Sequence, residues 1–404
     1  MQNQKVVNLI ASLVLCIIFV FSPFLAFFLS FAYGFSYTNK SSVNYVFFGI
    51  SGIFTLYASL LDLNFLYNGD VSRYWYLYTE GAFLEALSDL KLYRFIMFQV
   101  MDTLGLREGW YSFFSIFVAF LNFSIYFFNS IDYEKYDYKL KLWFIFSFLT
   151  IIPFWIVASY EMSVAFSFLC LGLYFNSCNK KYLFFFSFVF SVFVHSASLL
   201  IILFYLLSRP RFKQKIFTTL VLIFSIICFV AFIHFFKSGI SVVDYLVSRF
   251  VNYLFGVWSN YKGLGEWLLI PYCLVKIYLL ISLSKERKVI SDRLDRFFLL
   301  YGVFALCLVF NRTLSFRYVY LSSFFFAPYL INYAWNGLNR LKLNKYCGLI
   351  VLLFLSLPEF RFVYYFIPQV NIPIFEVMTM SWSEFGSFNV NLPPHGILFE
   401  KIRG

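Results

Sequence analysis

Residues 182–207 read YLFFFSFVFSVFVHSASLLIILFYLL, without one Asp, Glu, Lys or Arg. A helix that crosses a bilayer needs about 20 mainly apolar residues, because the hydrocarbon core is about 30 Å thick and the helix rises 1.5 Å per residue. Lys180 and Lys181 stand before this run; Arg209, Arg211, Lys213 and Lys215 stand after it. Short loops dense in Lys and Arg stay on the cytoplasmic side. Two like-charged ends therefore predict that 182–207 enters and returns as two half-helices, bent near His195. Non-helical backbone at such depth is tolerated where protein or a wet cavity covers it. The alternative is a single span, with one short segment miscounted elsewhere.

Further apolar runs extend outward from this one, at about 9–33, 43–61, 110–130, 141–158, 161–178, 216–236, 266–284, 297–311, 315–336 and 346–362. With 182–207 they predict an all-α, polytopic membrane protein of about eleven segments. The last is interrupted by Pro358, Glu359 and Arg361, and the first, lacking a small-residue cleavage site, reads as an anchor. Lys40, Lys135, Lys139, Lys141, Lys285, Arg287, Lys288, Arg293, Arg296, Arg340, Lys342 and Lys345 join Lys180 and Lys181 on the cytoplasmic side. The N-terminus, the connections about 62–109 and 237–265, and the tail from about 363 to 404 then lie outside. In 241–257, Val242, Leu246, Phe250, Leu254 and Val257 recur at helical spacing opposite Asp244, Ser248 and Asn252, as in a helix lying on a membrane surface. The stretch 81–104 has a similar pattern. No repeat or linker divides residues 1–404, which read as one membrane domain.

Composition agrees. Of the 404 residues, 61% are hydrophobic and 13% charged, against about 25% charged in soluble domains. The formal net charge is +12, but the cations are distributed as topology signals between apolar runs, so nucleic acid is not an expected partner. No phosphate-binding GxxxxGK[ST] loop is present. The seven cysteines form no CxxC pair and no metal-ligand spacing, and read as small buried hydrophobes rather than disulfides or a metal site.

Polar side chains that interrupt this background are the candidates for chemistry. Asn68-Gly69-Asp70-Val71-Ser72-Arg73-Tyr74-Trp75 follows the second run on the outer side. Asp70 and Arg73, three apart, share a face in a helical turn, and burial pushes a carboxylate toward general-base strength. The same residues also describe an ordinary surface turn with a solvated ion pair. Asn311-Arg312-Thr313-Leu314-Ser315-Phe316-Arg317-Tyr318 is the second cluster. Two guanidiniums there can grip a diphosphate bidentately, or snorkel to headgroups from a helix end. His195 can bind substrate, relay a proton or hydrogen-bond the backbone. Glu161, at the start of the fifth run, and Lys276, inside the eighth, can each pair internally.

The order Asp70-x-x-Arg73-Tyr74 with Tyr78, then His195-x-Ser-Ala-like sequence, then Arg312…Arg317-Tyr318…Pro328, resembles EpsG-type exopolysaccharide polymerases and the Wzy group of O-antigen polymerases. The segment pattern carries the resemblance across most of the chain. Many such proteins have Arg-Gln where Tyr160-Glu161-Met162 stands here, which marks a divergent member. The resemblance implies a glycosyltransferase-type polymerase of the bacterial inner membrane. It would act at the outer face on oligosaccharide repeat units carried by undecaprenyl diphosphate, without a cofactor or metal. It implies Asp70 as general base oriented by Arg73, and Arg312 and Arg317 on the departing diphosphate. Tyr74, Trp75, Tyr78 and Tyr318 would contact substrate, with His195 lining the cavity floor. A flippase and a chain-length regulator are implied partners besides membrane lipids. Flippase, membrane O-acyltransferase and polyprenyl-phosphate-sugar glycosyltransferase stand as alternatives.

Overall fold

A computed structural model describes residues 2–36, 42–59, 92–106, 109–130, 160–208, 269–283, 292–322, 324–329 and 379–384, with isolated positions between 239 and 267. The protein is all-α: among the described residues every regular element is helical. The helices are α1 Gln2–Phe21, α2 Pro23–Ser36, α3 Ser42–Ser59, α4 Leu92–Thr103, α5 Gly109–Asn129, α6 Tyr160–Ser177, α7 Lys181–Val194, α8 Ser198–Leu207, α9 Leu269–Leu283 and α10 Asp292–Leu308. Among the described residues no helix is long and apolar enough to cross a membrane.

The first apolar run departs from its expected form. In a straight helix, Asn8 and Tyr33 would stand about 38 Å apart. Instead the Tyr33 hydroxyl donates to Asn8 Oδ1 at 2.8 Å, and Phe19 meets Phe27 edge to face at 5.4 Å. The chain reverses at Ser22–Pro23. Proline fits the first position of α2, where its missing N–H costs nothing, but cannot continue α1. Residues 9–33 are thus parts of two antiparallel helices rather than one continuous segment. The N-terminal end of α1 consequently lies opposite Pro23.

Antiparallel packing continues through α3, where Ser30 Oγ donates to Tyr45 O at 3.0 Å. Gly49 makes this approach possible, since a Cβ there would sit 2.5 Å from the Phe31 backbone nitrogen. Pairings of Phe47 with Phe128 (5.0 Å) and Ser51 with Ser124 (3.4 Å) set α5 antiparallel to α3. Asn122 Nδ2 donates to Ser167 Oγ at 3.3 Å, and Tyr111 bonds Glu161, so α6 runs parallel to α5.

Between α6 and α7 the chain turns on Asn179, at φ 58°. Lys180 N bonds Phe175 O (2.8 Å) and Asn179 N bonds Asn176 O (3.1 Å), a Schellman closure that satisfies carbonyls at the helix end. Gly172 leaves room for Phe188 against α6.

The decisive run 182–207 is broken where its sequence suggested. His195 adopts extended backbone (φ −154°, ψ 124°) between α7 and α8. Phe184 and Tyr205 would lie about 32 Å apart in one straight helix; their ring centroids are 6.1 Å apart, and Phe188 meets Tyr205 at 5.6 Å. The two half-helices therefore fold back on each other. Asn176 Nδ2 donates to the Tyr205 hydroxyl at 2.8 Å, returning the end of α8 to the end of α6. Contacts of Tyr205 with Phe297 (5.7 Å) and Phe204 with Phe304 (4.9 Å) place α10 antiparallel to α8.

These directions give the assembly two ends. One holds Lys180, Ser208, Arg293 and the start of α1. The other holds Pro23, Glu161, His195 and Asn311. Pieces of all three expected outer connections meet this second end: α4 through Arg94, Ser259 through its carbonyl on Arg312 N (2.9 Å), and Trp382 through Nε1 on Phe19 O (2.8 Å). An aromatic core including Phe123, Phe166, Tyr301 and Phe325 fills the space between.

Candidate functional site

The polar side chains at the Glu161 end are positioned by helix ends and breaks. Asn311 Oδ1 accepts the Leu314 N–H at 2.9 Å, capping the turn Arg312–Leu314. Ser315 Oγ donates back to Leu308 O (2.7 Å) and Val309 O (3.0 Å). Residues Ser315–Tyr320 then wind as a π-helix, a rare form concentrated at functional sites. Arg317 and Tyr318 lie within it. Arg312 and Arg317 are both half-buried. Tyr318 turns its ring into the core, 5.4 Å from Phe304 and 6.4 Å from Phe166, and its carbonyl accepts the Tyr301 hydroxyl at 2.6 Å. Its ring is thus a packing element.

At the bend, His195 Nδ1 accepts the Ala197 N–H at 3.1 Å, and its carbonyl accepts Ser198 Oγ at 2.7 Å. That acceptor role puts the neutral ring's proton on Nε2. The imidazole helps to build the bend as well as lying at it.

Registers bring these elements to one level. Along the antiparallel α6–α7 pair, Phe168 faces Phe190 (4.5 Å) and Gly172 faces Phe188, so His195 falls near Val164, one turn from Glu161. Phe166, on the same stretch of α6, meets Tyr318, the neighbour of Arg317. The α8–α10 register puts Ser198 near the end of α10 and hence near Asn311. Sequence positions 161, 195, 311 and 317 thus share one end of the molecule. Asp70, Arg73, Tyr74, Trp75 and Tyr78 lie outside the described residues.

Two participants at this end were not singled out by the sequence. Arg94, on α4, pairs through Nε with Glu161 Oε1, and the Tyr111 hydroxyl donates to the same oxygen at 2.9 Å. Tyr93, beside Arg94, bonds Ser115 Oγ at 3.1 Å, and Phe98 packs on Tyr111 at 4.9 Å. The signal is Tyr93, Arg94, Phe98 and Met101 as the inward stripe of α4, with Ile96 and Val100 exposed on the other side. Lys276, at 2% exposure, places Nζ 4.6 Å from the Tyr272 ring centroid on α9, a helix in contact with the π-helical segment. Among the described residues no group of His, Cys, Asp and Glu is placed to hold a metal ion.

Compared with known family models, curated proteins and solved structures, the chain has no match in any of the three.

Proposed function

We propose that this chain is a polytopic inner-membrane polymerase of polyprenyl-diphosphate-linked oligosaccharide repeat units, built for bacterial O-antigen or exopolysaccharide synthesis. The observation that carries the proposal is the gathering of the His195 bend, the Asn311–Tyr318 segment and the buried Arg94–Glu161 pair at one end of an otherwise apolar helix assembly. The opposite end carries Lys180, Lys181 and Arg293 and is the cytoplasmic one under the charge rule. Lipid as the surrounding solvent is supported by α1, whose exposed stripe is Leu9, Ile10, Leu13, Val14, Ile17 and Val20, and by the exposed Phe185, Phe186, Val189 and Phe190 of α7. In lipid the α7–α8 pair is a re-entrant hairpin, and the apolar-faced α4 lies at the interface. Because the hairpin at Pro23 puts the start of α1 at the Lys180 end, this reading assigns the N-terminus to the cytoplasmic side, opposite to the side its first run suggests.

The reaction follows from the chemistry of the substrates. A hydroxyl of the acceptor repeat unit attacks the anomeric carbon of the growing chain. The anomeric C–O bond to diphosphate breaks, and polyprenyl diphosphate leaves with the electron pair. Asp70, oriented by Arg73, takes the hydroxyl proton. Arg312 and Arg317 face the negative charge that grows on the leaving group, where preorganised cations are worth most. Tyr74, Trp75 and Tyr78 stack on sugars, and His195 lines the floor. The bond broken supplies the driving force, so the reaction needs no nucleotide.

The test is Asp70→Asn and Arg317→Ala in a strain lacking the gene, with the polysaccharide ladder read on a gel. Each is expected to leave a single repeat unit on the lipid core at ordinary protein levels. Normal long-chain banding from both removes the assignment. Deletion that leaves no repeat unit at all points to a flippase, and a normal ladder lacking acetyl groups points to an acyltransferase.

A further inference from the structure

The imidazole of His195 is built into the backbone of the bend. Ala197, which flanks the start of α8, supplies no side-chain cap to its first turn. The N–H groups there find other acceptors. Ser198 N bonds His195 O (3.1 Å), Leu199 N bonds Ser196 O (3.0 Å), and Ala197 N bonds His195 Nδ1 (3.1 Å). The buried Ser198 hydroxyl adds a second bond to His195 O at 2.7 Å. The ring thus acts as an Asn or Asp side chain does in an Asx turn, holding the N–H two residues on. Unlike those amide and carboxylate oxygens, Nδ1 has a single lone pair. A proton that settles on it takes the place of the Ala197 N–H, because imidazolium is a donor at both nitrogens.

The surroundings leave this local bond to decide. His195 closes α7 and precedes α8. A positive charge on it gains from the C-terminal dipole of α7 and loses to the N-terminal dipole of α8, and the two largely offset. On the described elements packed around the hairpin, the charged and thiol groups toward this end are Arg94 and Asp102 of α4, Glu161 of α6, Cys307 of α10, and Arg312 and Arg317 beyond it. Glu161 Oε1 is engaged by Arg94 and by the Tyr111 hydroxyl, and Tyr93 bonds Ser115. Asp102 is exposed, two turns along α4 from Arg94. Glu161 and Arg94 offset each other in charge, whereas Arg312 and Arg317 add to the repulsion that an imidazolium would meet at this end.

We infer that His195 is a proton-sensitive hinge: neutral, its ring caps α8 and fixes the bend; protonated, it releases the Ala197 N–H and loosens the start of α8. The Nδ1 hydrogen bond is present above the titration of the ring and lost as pH falls through it, at about pH 6.5 for an ordinary histidine. This goes beyond the polymerase proposal and stands or falls without it. On the proposed topology the bend lies at the outer end, so the hinge responds to the acidity outside the membrane.

The experiment uses purified full-length protein with isotope-labelled histidine in lipid nanodiscs, titrated from about pH 8 to about pH 5 across the ordinary imidazole range. Solid-state NMR reads the protonation of each ring nitrogen, the His195 signals being those lost in His195→Asn. Hydrogen exchange, corrected for the intrinsic rate at each pH, reads residues 197–201. At the alkaline end Nδ1 is expected bare and Nε2 protonated. As the ring charges, exchange over 197–201 is expected to rise about three- to tenfold, the worth of one hydrogen bond, while residues 120–127 in the core of α5 hold constant. His195→Asn offers an amide oxygen to the same N–H without titrating, and is expected to exchange slowly at both ends of the range. His195→Ala offers no acceptor and is expected to exchange fast at both; if its α5 core also loosens, the wild type and His195→Asn decide alone. The inference is overturned by a ring that stays neutral down to about pH 5, by a ring that charges without faster exchange, or by acid loosening of His195→Asn equal to that of the wild type.

Discussion

Arg94 and Arg293 show how differently the two ends of the helix assembly treat a cation. Arg94 is 8% exposed, and its guanidinium meets a carboxylate 67 residues away in sequence, which also takes a tyrosine hydroxyl. Arg293 is half-buried, lies 3.9 Å from the Tyr205 ring centroid, and points Nη2 at the Tyr205 carbonyl at 3.4 Å. Lys180 and Lys181, both exposed, lie at the same end as Arg293. Taking two opposite charges out of water costs several kcal/mol per ion, and an apolar pair of similar volume is often as stable. Stability alone does not call for the Arg94–Glu161 arrangement. Arg293 is not simply in water either: its Nε is enclosed, and Asp295, two residues on, is 2% exposed. The two ends differ in how the cation is held, by a carboxylate that also takes a tyrosine hydroxyl at Arg94, and by an aromatic ring and a backbone carbonyl at Arg293.

The most severe way to test this contrast is to delete one cation at each end. Arg94→Ala strands the Glu161 carboxylate in a largely buried position and is expected to cost about 3–5 kcal/mol, read as a loss of unfolding free energy in detergent micelles. Arg293→Ala removes at least a ring contact and a long hydrogen bond, and is expected to cost less, about 1–2 kcal/mol. Equal losses from the two variants would erase the distinction. Under the proposed polymerase function, Arg293→Ala is also expected to leave the polysaccharide ladder intact, because Arg293 lies at the far end of α10 from Asn311.

Much of this division is legible in the sequence. The like-charged flanks of 182–207 pointed to a reversal over the alternative of a single span, and the single imidazole in that run marks it, because extended backbone at His195 is stabilised by its own ring nitrogen and by Ser198. The shared end of Asn311–Tyr318 and Glu161 also follows from alternating helices. The hairpin at Pro23 did not show, since apolar residues continue through it and a proline two residues past a helix end is equally consistent with a kink. Arg94 did not show for another reason. Its stripe is read as amphipathic from either face, and only the three-dimensional path of α5 and α6 decides which face is inward. Lone ionisable residues in apolar sequence announce that a partner exists without saying where. The partner of Glu161 comes from α4, and nothing local to residue 161 names it.

The smallest expected effect lies in the turn between α6 and α7, where Asn179 adopts φ 58°. Left-handed backbone is open to glycine without a Cβ clash and is tolerated by asparagine, whereas alanine meets the following carbonyl. Asn179→Ala is expected to lower stability by about 1 kcal/mol and Asn179→Gly to hold it within a few tenths. The ordering, rather than either value, is the sharper readout, since it isolates backbone strain from the exposed side chain. This turn closes the Lys180 end, and the α6–α7 register it sets is also what carries His195 to the level of Val164 and Glu161. If the two ends are independent, Asn179→Ala loosens the turn while the proposed repeat-unit polymerisation keeps its KM. If KM rises with the loss of stability, the register at the Lys180 end is transmitted along α7 to the bend, and the two ends work as one mechanical unit.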